Sequence, residues 1–353
     1  MMIFSRGIPA HTTAVWVDGS GITLSVILGV TASARLRCSY ILGHRTASII
    51  SACMNIRPIL VFPLLSTIAS ANAGQVPVED HTIRLDVNLV VISVSVLKKN
   101  GDTVSGLGKQ AFQLFVDDSP LPINVFQGED APVTVGIVVD NSASMAPKRS
   151  EVIAASLAFA RSSNPEDQMF VVHFSDQARF GLPPAKPFTG SIPELETALS
   201  HFAPAGTTAL FDAIGMALSH FGRATMNRKV LIMISDGGDN SSRAALPDIL
   251  RWAQKSGVAF YCIGLFDKED TDSNPRVLNE FADLTGGKAF FPSDVHDTTK
   301  ICMAIAREIR SQYTLGFTGA EDGKYHRIKV IAQDPGYSGL QVRARPGYFA
   351  AKP

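Results

Sequence analysis

Asp140-Asn141-Ser142-Ala143-Ser144 sets one carboxylate and two hydroxyls on alternate residues, directly after the apolar run 133–139. A loop with that spacing can turn all three oxygens toward one point. Two more oxygen donors stand where a second and third loop would carry them. Thr207-Thr208 follows Gly206 and precedes Ala209-Leu210-Phe211, and Asp236 lies in Ile234-Ser235-Asp236-Gly237 after another apolar run. Oxygen-only ligands of low total charge suit a hard divalent cation, Mg²⁺ foremost, with Mn²⁺ and Ca²⁺ also admitted. Each piece also has an ordinary reading. Asp140 and Ser142 are good helix-cap and turn residues, and Asp236-Gly237 is a common strand-to-loop turn. Their joint occurrence, in this order at the ends of apolar runs, favours the metal.

The elements that must position them alternate in type. Residues 133–139, 229–235 and 257–266 read as buried parallel strands because their apolar runs are continuous, and 168–174 reads as a further strand. Between them, residues 147–161, 191–201, 208–221, 244–255, 275–284 and 297–310 read as helices. Ser191 with Glu194 is a capping box, and Gly286-Gly287 is a helix stop. This alternation predicts a doubly wound α/β sheet, which receives ligands at the C-terminal ends of its strands. The flanks read as β. Residues 83–89 alternate with period two and continue through 90–97, Asn100-Gly101 makes a hairpin-type turn, and 111–116 and 121–127 follow as strands around a turn at 117–120. Strands recur at 313–317, 326–332 and 340–344. Neither β set buries much alone, so the late strands are expected to pack on the early module. The predicted domains are a β module over 81–129, an α/β domain over 132–310 and a C-terminal β segment over 311–350.

The order D-x-S-x-S, then Thr, then Asp-Gly after an apolar strand resembles the metal-ion-dependent adhesion site of von Willebrand factor type A (VWA) domains. The resemblance covers roughly 132–310 and implies that Asp140, Ser142, Ser144, Thr208 and Asp236 are the metal set. Thr208 is preferred over Thr207 because it directly precedes Ala-Leu-Phe-Asp-Ala, as in the family's pattern. Thr207 stands where the family often has a second Gly. The flanks Val104-Ser105-Gly106-Leu107, Phe112 to Asp118, Ile309 to Phe317 and Arg343 to Tyr348 are similar to a bacterial VWFA-related family described mainly from Acidobacteria. The resemblance implies a binding protein rather than an enzyme. Its metal would leave one coordination position open, and an Asp or Glu of a protein partner would complete it. The rival readings are a metal-independent scaffold and a metal-dependent hydrolase with Asp140 as nucleophile.

Charge and composition narrow the class further. The 353 residues carry 32 Lys+Arg against 32 Asp+Glu, which argues against a nucleic-acid binder. The balance is uneven along the chain. Residues 1–73 hold five basic residues and Asp18, leaving residues 74–353 with a net charge of −4. Met54 to Pro58, the apolar run 59–68 and Ala71-Asn72-Ala73 have the three parts of a secretory signal, too short for a comfortable membrane span. Residues 54–73 are therefore expected to be a signal peptide and 1–53 an over-extended start, with the mature protein periplasmic, extracellular or attached to the envelope. Cys262 and Cys302 read as buried thiols, and His173 as a core histidine. Gly106-Leu107-Gly108-Lys109 lacks phosphate-loop spacing, and the EF-hand-like start at Asp270 lacks its Gly and Glu.

Overall fold

The computed structural model describes residues 88–128, 130–266 and 273–352, together with the backbone of six strands before residue 47. The segment read as a signal peptide lies outside the described residues, as do residues 81–87 and the start of the EF-hand-like run. The chain divides into two units, residues 1–81 and 82–353. In the first, β1 (Ile3–Phe4), β2 (Thr12–Val17), β3 (Thr23–Leu28) and β4 (Arg35–Ser39) form an antiparallel sheet in that order. β5 (Ile41–Leu42) pairs with β6 (Arg45–Thr46).

The second unit has two separate apolar cores. The larger belongs to a six-stranded sheet of β11 (Val133–Asp140), β12 (Gln168–Phe174), β13 (Ala178–Phe180), β14 (Arg228–Ser235), β15 (Ala259–Gly264) and β16 (Lys288–Phe290), in the order 13-12-11-14-15-16. Only β13 runs antiparallel. Every residue of β11 is buried, as unbroken apolar runs require when both faces are covered. Six helices connect the strands: α1 (Arg149–Ser162), α2 (Ile192–Ser200), α3 (Leu210–His220), α4 (Leu246–Ser256), α5 (Pro275–Thr285) and α6 (Thr298–Arg310). α1 packs on α2 and α6, while α4 lies between α3 and α5. The expected doubly wound α/β sheet is thus present, with additional antiparallel sheets beside it.

Those sheets build the smaller core. One has the order β10-β17-β7-β19, from Val125–Gln127, Tyr313–Thr318, Leu89–Leu97 and Gln341–Arg343. The other has the order β20-β18-β8-β9, from Gly347–Phe349, Tyr325–Ala332, Phe112–Val116 and Ser119–Leu121. Early and late strands pair directly, β17 with β7 and β18 with β8. β10 leads into β11, α6 leads into β17, and β10 and β17 are paired neighbours. The six-stranded sheet with its helices is therefore an insertion between two adjacent strands. A bidentate Arg310–Asp130 pair at 2.8 and 2.7 Å closes its two ends.

Three local expectations need correction. The strand expected over 121–127 is two strands in different sheets, because Pro122 cannot donate to a ladder. Ser191 stands at the N-cap of α2 but makes no side-chain cap bond. The reciprocal half of the capping box is absent too, since the Glu194 carboxylate is drawn to Lys186 and Thr189 and the Ser191 amide donates to Thr189 Oγ1 at 3.0 Å. The helix expected from 208 begins at Leu210, which leaves Thr208 in a loop.

Candidate metal centre

Asp140 ends β11 at the point where the sheet order switches direction, with β12 on one side and β14 on the other. It is 2% exposed. Its Oδ1 accepts from the Ser142 amide at 2.8 Å, and its Oδ2 from the Ser235 hydroxyl at 2.7 Å. The Ser235 oxygen in turn accepts from the Gly237 amide at 3.0 Å. Both carboxylate oxygens are thus oriented from opposite sides.

The two serines carry the cluster to the second carboxylate. The hydroxyls of Ser142 and Ser144 lie 3.1 Å apart, and Ser144 donates to Asp236 Oδ2 at 3.2 Å. Asp236 is 3% exposed, and its Oδ1 accepts from the Gly238 amide at 2.9 Å. The turn after it needs Gly237, whose φ is +77° and whose added Cβ would fall 2.5 Å from the Asn274 carbonyl.

The third loop is laced to both others by its backbone. Ala205 donates to the Asn141 carbonyl at 2.8 Å, and Ala143 to that of Gly206 at 3.2 Å. On the other side Asn240 grips Thr208, with its Oδ1 accepting the Thr208 amide at 2.9 Å and its own amide donating to the Thr208 carbonyl at 3.0 Å. Thr208 is buried, whereas Thr207 is exposed and gives its amide and hydroxyl to Asp176 Oδ1 at 2.6 Å each. Gly206 permits that approach, because a Cβ there would strike the Asp176 carboxylate.

Burial first, and then the facing Asp236 charge, pushes the Asp140 carboxyl up to about 6. Two buried carboxylates joined by hydroxyls form a donor set that a hard dication would offset in charge and complete in oxygen contacts. The residues present therefore fit such an ion. Among the described residues no group of three or more His, Cys, Asp or Glu side chains is placed to hold a metal ion.

Sequence reasoning missed Ser235, although a serine immediately before Asp236 was its visible signal. It also passed over Asn141, the residue between Asp140 and Ser142. His173, read as a core histidine, is 2% exposed with both ring nitrogens bonded, to Asn141 and to the Ala198 carbonyl. Cys262 and Cys302 are buried free thiols, and burial pushes both up, Cys302 to about 12.

Residues 134–304 match the family model of the von Willebrand factor type A domain. This segment is a VWA domain. Similar solved structures include a von Willebrand factor type A protein from Catenulispora acidiphila, at 16% identity over 74% of each chain with a TM-score of 0.46. They also include the conserved hypothetical protein BatB from Bacteroides thetaiotaomicron, at 18% identity over 51% of this chain and all of that one, TM-score 0.40. A third is the vWF domain of the type V pili tip protein Mfa5 from Porphyromonas gingivalis, at 14% identity over 51% of this chain and 97% of that one, TM-score 0.40. No curated protein matches the chain. Among the described residues no helix is long and apolar enough to cross a membrane.

Proposed function

We propose that the VWA domain binds a protein partner through a divalent cation, Mg²⁺ foremost, held by Asp140, Ser142, Ser144, Thr208 and Asp236. The observation that carries this reading is the gathering of two nearly inaccessible carboxylates in one loop cluster: Asp140 accepts from the Ser142 amide, the Ser142 hydroxyl lies beside that of Ser144, and Ser144 donates to Asp236. Two carboxylates roughly balance a dication, so a third from a partner's Asp or Glu meets no prior excess of negative charge. When bound, the ion supplies a coordination position for that carboxylate. The chain's own part is to hold the oxygens. Ser235 and the Ser142 amide aim Asp140, the Gly238 amide aims Asp236, and the engagement of Thr207 with Asp176 favours Thr208 as the threonine for the site. The signal-like run at 54–73 supports a periplasmic or extracellular setting for this binding.

Selection of ligands from a displayed peptide library, with wild type and Asp140→Ala side by side, tests the reading. Selected peptides should carry an Asp or Glu whose amide replacement abolishes binding, and EDTA or Asp140→Ala should abolish it too. Binding indifferent to EDTA and to Asp140→Ala would replace this reading with a metal-independent scaffold. Turnover of phosphoesters lost with Asp140 would replace it with a hydrolase.

A further inference from the structure

Asn141 has no oxygen in the proposed ligand set, yet it is 3% exposed and all its polar groups are engaged. Its amide donates to the Phe174 carbonyl at 2.7 Å, and its carbonyl accepts from Ala205 at 2.8 Å. Arg149 Nη1 donates to its Oδ1 at 2.6 Å, and its Nδ2 lies 2.8 Å from His173 Nδ1.

The orientation of this side chain has one consistent solution. A guanidinium only donates, so the Asn141 oxygen must face Arg149. The Asn141 NH₂ then donates to His173 Nδ1, which places the His173 proton on Nε2. That nitrogen donates in turn to the Ala198 carbonyl at 2.7 Å. Arg149 Nη2 donates to the neighbouring Leu199 carbonyl at 3.2 Å. Both chains of hydrogen bonds therefore start at Asn141 and end on adjacent carbonyls in the last turn of α2, where helix geometry supplies no N–H partners. The helix C-terminus also favours the Arg149 cation.

We propose that Arg149, Asn141 and His173 form a positioning clamp for the metal loop, a role that rests on the metal reading above. A side chain locked between a permanent donor and a neutral imidazole fixes the backbone between Asp140 and Ser142. That holds the Ser142 and Ser144 hydroxyls on the side of Asp236. The clamp anchors the loop to α2, an element that contributes no proposed ligand.

Mn²⁺ titration of the full chain by calorimetry tests this, with melting followed in parallel by circular dichroism. Asn141→Ala and His173→Phe should raise the Mn²⁺ dissociation constant about tenfold, the usual cost of losing an outer-shell partner. His173→Gln, which keeps one acceptor and one donor, should stay within about twofold of wild type on the same argument. If Asn141→Ala does not fold, Arg149→Lys carries the test. It keeps the charge but loses the fork, and should weaken Mn²⁺ binding several-fold. Wild-type Mn²⁺ affinity in the folded variants, with only melting lowered, would overturn the clamp and leave Asn141 a structural residue. Absence of Mn²⁺ binding by the wild-type chain would overturn the metal reading and the clamp with it.

Discussion

Ser95, on the first strand of the β module, donates a 2.9 Å hydrogen bond to Glu308 on the last helix of the VWA domain. The same Glu308 oxygen accepts from the Tyr261 hydroxyl at 2.7 Å and from Arg343 on β19. Gln312 donates to both Ser95 and Tyr261 at 3.0 Å, and its own oxygen accepts from Arg228 at 2.9 Å. The two cores are therefore joined by a buried polar seam rather than by shared apolar packing.

Removing the cation of that seam should be costly. Arg343→Met leaves the Glu308 carboxylate, 8% exposed, without its charged partner. We expect a loss of about 3 kcal/mol in urea unfolding, the scale for breaking a buried pair from one side. Glu308→Gln in the Arg343→Met background should recover part of it. A loss below about 0.5 kcal/mol, as for an exposed pair, would show that the seam is wet.

Separate cores predict separable folding. Residues 132–310 keep the whole larger core and should fold alone, melting below the intact chain because Tyr261 and Glu308 lose Ser95, Gln312 and Arg343. Residues 81–129 should not fold alone, since β7 takes both its neighbours from β17 and β19, and β8 keeps only the three-residue β9 once β18 is gone. Amide dispersion in NMR spectra of the two fragments checks both outcomes.

Metal should raise stability by mass action. Mg²⁺ at a hundred times its dissociation constant should add about 2.7 kcal/mol, reversed by EDTA. Asp140→Asn should lose this gain. Without metal it should melt no lower than wild type, because one of two facing buried carboxylates is neutralised. Scanning calorimetry with and without Mg²⁺ reads both effects, and a metal-induced shift preserved in Asp140→Asn would place the ion elsewhere.

His326 predicts a pH dependence for the β module. Its ring lies between Asp322, 3.0 Å from Nε2, and Asp117, 2.7 Å from Nδ1, which hold it above its ordinary 6.5. The stabilisation is fully present below about 6.5 and is lost as pH rises through the raised value. Hydrogen bonds hold both carboxyls below their ordinary 3.8, so their share is lost only in strong acid. Melting temperature should therefore fall from pH 6 to pH 9, and His326→Gln should flatten that slope. An equal slope in the variant would assign the pH dependence to other groups.

Much of the molecule was legible before folding. Apolar runs placed β11, β12 and β14 within a residue or two, because strands covered on both faces need no partner-specific side chains. The D-x-S-x-S spacing is equally local, so Asp140, Ser142 and Ser144 stood out, Asp-Gly after an apolar run marked Asp236, and likeness to a known pattern chose Thr208 over Thr207. The three-residue strands β13, β16 and β20 were missed, since their pairing rests on neighbours rather than on any pattern of their own. Other features were decided only by tertiary structure. The insertion of the VWA domain between β10 and β17 depends on a strand pairing across nearly 190 residues. The capture of Thr207 by Asp176, the locking of Asn141 between Arg149 and His173, and the convergence of Ser95, Tyr261 and Arg343 on Glu308 join groups far apart in the chain. Such contacts follow from satisfying buried polar groups, and burial is a property of the folded whole.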